Sequence, residues 1–116
     1  MEVRSSNFDK NLTVFVVDHD APPGVLAQLD KSGLGFAMWG SGVPEPFIVI
    51  DGRRVSDRDE MLAVEAHEVG HIMTGSRCES TAELFAIGLL RCSGHHAAAA
   101  LLLDRGIVTS DEVEGL

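Results

Sequence analysis

Residues 67–71 read His-Glu-Val-Gly-His, and this spacing constrains the chain more than any other feature of it. At 3.6 residues per turn, a separation of four puts His67 and His71 one above the other on a single helix face, where both imidazoles can reach one ion. Glu68 then lies about 100° around the axis, beside that line rather than in it. The surrounding residues support a helix. Leu62, Ala66, Val69 and Met73 recur at helical spacing and form a core stripe. Ser56 followed by Asp59 resembles a capping box with Ser56 in the cap position, and Asp57, Asp59 and Glu60 suit the positive end of the helix dipole. Gly75 stops the helix after Thr74.

The periodicity differs on the two sides of this segment. Before it, Asn11–Val17 and Phe47–Ile50 are β-branched and aromatic runs bounded by turn residues, and Phe36–Trp39 is a shorter apolar piece closed by Gly40-Ser41-Gly42. Val25–Asp30 has room for one or two helical turns. After it, helices are expected over about Ser80–Arg91 and His95–Asp104, with a last turn at Ser110–Glu114. Strands first and helices after make the class α+β. With 116 residues the chain suits one domain, 1–116, of which the polar residues 1–10 are expected to fray.

Nine Lys/Arg against eighteen Asp/Glu give a formal charge of −9, which disfavours nucleic acid and anionic membrane as partners and does not hinder a cation. The longest apolar run, Ala97–Leu103, is far short of the roughly 20 residues that span a bilayer. No secretory signal opens the sequence, so a cytoplasmic location is expected. Cys78 and Cys92 are too few for a disulfide scaffold and are expected to be buried structural thiols, with Cys78 a rival ligand beside Glu79.

An HExxH helix presents two imidazoles to a zinc ion, which lowers the pKa of a bound water to around 7, while the intervening carboxylate takes that water's proton. The competing explanation is a solvated acidic helix that happens to carry two His and a Glu. Catalytic zinc takes three protein ligands and keeps one position open. The third donor is therefore sought downstream, in Glu79 or Glu83 and more remotely in His95 or His96. Glu65, Glu68, Glu79 and Glu83 together concentrate negative charge around such a site.

The segment from Phe47 to Leu90 resembles the ImmA/IrrE-like zinc metallopeptidases, a gluzincin-type family. In these a strand precedes a helix ending in HExGH, and a second helix reads E-x-x-A-[ND]-x-F-A-x-x-L-L. Here that helix is Glu79-Ser80-Thr81-Ala82-Glu83-Leu84-Phe85-Ala86-Ile87-Gly88-Leu89-Leu90, with Glu83 where Asn or Asp is usual. The resemblance implies a small zincin-like domain with a short sheet of about three strands packed on the HExxH helix and the following glutamate helix. It implies one Zn2+ held by His67, His71 and Glu79, with Glu68 as general base and Glu83 orienting a ligating His or serving as alternative ligand. The implied activity is peptide-bond hydrolysis in a peptide or protein substrate, with strand 47–50 as the rim that pairs with the substrate backbone. The alternative is a weakly active or inactive zinc-binding regulatory module that captures a peptide. The chain has no Tyr to stabilise an oxyanion, which leaves His95 and His96 as candidate donors, with Arg91 and His19 as further ones.

Overall fold

The computed structural model describes residues 1–114; Gly115 and Leu116, the end of the expected domain, lie outside the described residues. Along the chain run β1 (Glu2–Ser5), β2 (Thr13–Val17), α1 (Pro23–Ser32), β3 (Gly35–Met38), β4 (Phe47–Asp51), α2 (Arg58–Thr74), α3 (Glu79–Cys92), α4 (His96–Asp104) and α5 (Ser110–Glu114). The class is α+β, and the described sheet has four strands rather than three, in the order β1-β2-β4-β3. β2 and β4 are parallel, with Val14 opposite Ile48 and Val16 opposite Ile50; the two outer pairings are antiparallel. A parallel pair needs a long crossover, which α1 and β3 supply between β2 and β4.

Both faces of the sheet are covered, which explains the unbroken apolar run at 47–50. Val14, Ile48 and Ile50 pack with Val64 and Val69 of α2. Val17 and Val49, on the opposite face, pack with Leu29 of α1. A second layer joins Leu62 and Ala66 of α2 to Ala86, Ile87 and Leu90 of α3 and to Ala98, Ala99 and Leu102 of α4.

The N-terminal segment is the main departure from the sequence reading. Residues expected to fray form β1, and the reason lies 60 residues away in Glu65. Its side chain is fully buried, and a buried carboxylate without partners costs several kcal/mol. Arg4 Nη2 donates to it at 2.6 Å, Ser6 Oγ at 2.7 Å, and the Asn7 backbone N–H and Nδ2 at 2.7 and 3.2 Å. The polar character of residues 4–7 is thus the complement of one buried charge. Glu65 accordingly faces the N-terminal segment rather than contributing to the negative charge around the histidines.

Smaller corrections follow from local chemistry. The cap of α2 is Asp57 rather than Ser56: its carboxylate accepts the Glu60 N–H at 3.0 Å, which gives the dipole a charged partner. Leu62, Ala66 and Val69 are buried as expected, but Met73 is 46% exposed because the buried stretch of α2 ends at His71. Cys78 and Cys92 are both free and exposed, since Cys78 caps α3 and Cys92 ends it. Of Leu101–Leu103 only Leu102 is fully buried. Among the described residues no helix is long and apolar enough to cross a membrane.

Candidate metal centre

The centre lies between α2 and α3, which pack closely at Gly70. A Cβ at this position would sit against the Ala82 backbone, 3.0 Å from its carbonyl carbon and 3.1 Å from its Cα. Only a residue without a side chain lets α3 approach so near, and the approach carries Glu79 and Glu83 onto the histidine face.

The two glutamates contact different nitrogens of His67. Glu83, fully buried, has Oε1 at 2.7 Å from Nδ1, the ring nitrogen turned away from the cleft. Glu79, whose side chain is 62% exposed, has Oε2 at 2.8 Å from Nε2 and Oε1 at 3.1 Å from Nε2 of His71. His71 Nδ1 faces the Ser76 carbonyl at 2.7 Å. A carbonyl only accepts, so Nδ1 of His71 carries the hydrogen; the Glu83 carboxylate fixes the same tautomer on His67. Both Nε2 lone pairs and the Glu79 carboxylate then converge, with the three ligand atoms all within 4.8 Å of one another. Lone pairs facing lone pairs are stable only around a cation, or a proton in its place. Two imidazoles and a carboxylate, one ring held by a carboxylate and the other by a carbonyl, fit a divalent metal of the zinc type. His67, His71 and Glu79 are thus placed to bind a metal, and Glu83 stands behind them.

Charge around the centre is strongly perturbed. Burial raises the Glu68 carboxyl above its ordinary value, assisted by Glu79 and opposed by His67, His71 and Arg105. For His67, burial alone would lower the pKa, but the hydrogen bond it donates to Glu83 and the charges of Glu68, Glu83 and Glu79 outweigh it, so the value is raised.

These residues open into a cavity of about 670 Å³ that β3 lines along its whole length. The rim strand is β3 and not Phe47–Ile50, because β4 is enclosed between β2 and β3 while one edge of β3 is unpaired within the sheet. The Asp51 N–H donates to the Leu34 carbonyl at 2.9 Å. Alternation along an antiparallel pair then turns the N–H and C=O groups of Gly35 and Ala37 outward. Gly35 is required here by close approach, since a Cβ would lie 2.9 Å from the Val49 carbonyl and 3.0 Å from Val64 Cγ1.

Trp39 forms one wall. Its ring stacks on His71 at 6.0 Å and 16°, and the Arg77 guanidinium lies 5.0 Å above it on the cation–π pattern. The exposed thiol of Cys78 turns toward Ser80, 3.2 Å from its Oγ, and lies outside the ligand cluster. His95 and His96 are not brought to the centre. His95 caps α4 with its ring edge on Phe8 at 6.1 Å, and His96 is exposed; neither lines the cavity. Arg91 reaches Glu114 instead, at 4.0 Å, and His19 is exposed beyond β2. Lys31, Arg77 and Arg105, which the sequence did not single out, do line the cavity. They come from the end of α1, the α2–α3 turn and the end of α4, and no spacing links them.

The chain matches no protein-family model, no curated protein and no solved structure.

Proposed function

We propose that the chain is a zinc-dependent peptidase of the ImmA/IrrE-like, gluzincin type, acting in the cytoplasm on a peptide or protein substrate. The observation that carries this reading is the convergence of His67, His71 and Glu79 with their outer hydrogen bonds in place, and the buried Glu68 beside them. Zinc held by these three residues would polarise the scissile carbonyl and acidify the attacking water.

The chain's own groups do the rest. The outward N–H and C=O groups of Gly35 and Ala37 pair with an extended substrate and fix its register. Glu83 holds the His67 ring through Nδ1, and Ser76 holds His71. Glu68, buried beside the two histidines, takes the proton of the attacking water and passes it to the leaving amine.

The test is hydrolysis of casein and of a peptide library by zinc-loaded protein, with and without chelator. Cleavage should stop with chelator and fall by roughly 10²–10⁴-fold in Glu68→Gln, the usual weight of a general base, with zinc content unchanged. No cleavage by the loaded protein, with Glu68→Gln indistinguishable, would contradict the peptidase reading. A zinc-binding regulatory module would instead tolerate Glu68→Gln and lose partner affinity in His67→Ala.

A further inference from the structure

The cavity's charge runs against that of the chain. The sequence holds eighteen Asp/Glu and nine Lys/Arg, yet the residues lining this cavity include three cations, Lys31, Arg77 and Arg105, and only two carboxylates, Glu68 and Glu79. The latter are the two that the proposed site employs. Among the described residues, Arg4, Arg53, Arg54 and Arg91 sit in ion pairs elsewhere, while Lys31, Arg77 and Arg105 have no ion-pair partner, as is also true of Lys10 and Arg58 outside the cavity. A divalent ion would offset Glu68 and Glu79, leaving the three side chains as the net charge facing a ligand. Arg105, at the end of α4, lines the same cavity as Glu68. Arg77 stands at the Trp39 end, braced over the indole. Lys31 is in the last turn of α1, just before the chain turns into β3.

From this we infer that the cleft selects ligands carrying a carboxylate beside the segment laid along β3, so that the substrates are acidic peptides or peptide chain ends. The inference rests on the reading of the cleft as a peptide site and adds its substrate class. The overall charge of −9 repels acidic ligands from the rest of the surface and makes this cavity the place where they can settle, with an attraction that salt weakens.

Binding tests this independently of turnover. Zinc-loaded Glu68→Gln protein is titrated by calorimetry with three peptides of one length: one with an internal Glu and an amidated end, its Gln twin, and the Gln twin with a free carboxyl end. The first or the third should bind at least ~10-fold more tightly than the second, which is about 1.4 kcal/mol. Which of them does so tells whether the side-chain or the terminal carboxylate is read. The preference should shrink in 0.5 M salt, and Lys31→Glu with Arg105→Glu should turn it toward a Lys-bearing twin. Equal binding of all three peptides, or binding of none, overturns the inference. Selective binding of the acidic peptides without cleavage by wild-type protein leaves it standing and removes the peptidase reading alone.

Discussion

Glu65 and Glu83 are both fully buried carboxylates, on adjoining helices, and they are held in opposite ways. Glu65 accepts from four donors, and its network is closed. Glu83 accepts one bond, from His67, and its Oε2 has no partner. The first uses its charge to fasten β1 and the following turn to α2. The second leaves satisfaction incomplete and uses its charge to set the tautomer and direction of one ring. Removing Glu65 should therefore damage the fold, and removing Glu83 should damage the site.

The largest expected effect is in Glu65→Ala. It strips four donors of their acceptor and leaves the Arg4 guanidinium without its buried partner, so unfolding in urea should show a loss of about 3–5 kcal/mol. Zinc affinity of the folded fraction should be unchanged, and a parallel fall in both would break the comparison. Glu83→Gln should show the reverse: zinc affinity down by roughly 10–100-fold, with urea stability shifted by less than about 1 kcal/mol, measured by competition with a chromogenic chelator.

Asp51 belongs with Glu65 on the closed side. Arg53 Nε and Nη2 and Arg54 Nε all donate to it, at 2.9, 2.9 and 2.7 Å, and Arg54 continues to the Gly33 carbonyl ahead of β3. The hydrogen bond from Arg53 leads in lowering its pKa from 3.8 to about 2. Because the folded carboxylate holds off its proton longer than the unfolded one, its contribution is complete above about pH 4 and is lost as pH falls toward 2. That loss is on the order of 2 kcal/mol, and Asp51→Asn should flatten the acid limb of the stability curve. The smallest effect concerns Cys78. Its thiol is exposed and outside the ligand cluster, so loading zinc should leave its rate of alkylation unchanged; protection by zinc would place it among the ligands.

The same contrast explains how much of the molecule was legible in the sequence. The α2 helix could be read from local signals alone: a 3.6-residue period, an acidic first turn and Gly75 after its end. The histidine pair followed from the helix. β1 could not be read, because its cause is the burial of Glu65 and not any pattern in residues 1–10. The rim strand was misplaced because strand order depends on the crossover through α1, which puts β4 inside and β3 at the edge. Glu79 and Glu83 are four apart and share a face, so spacing could not say which nitrogen of His67 each one meets. Lys31, Arg77 and Arg105 come together only through the packing of three separate elements.

We propose that His67, His71 and Glu79 hold a divalent metal. The most direct test is the metal content, by elemental analysis, of protein purified without added metal, alongside His67→Ala and Glu65→Gln. One zinc ion per chain is expected in the wild-type protein and in Glu65→Gln, and none in His67→Ala. A wild-type chain that holds no metal even after zinc is supplied, or a His67→Ala chain that retains it, would rule out this metal site.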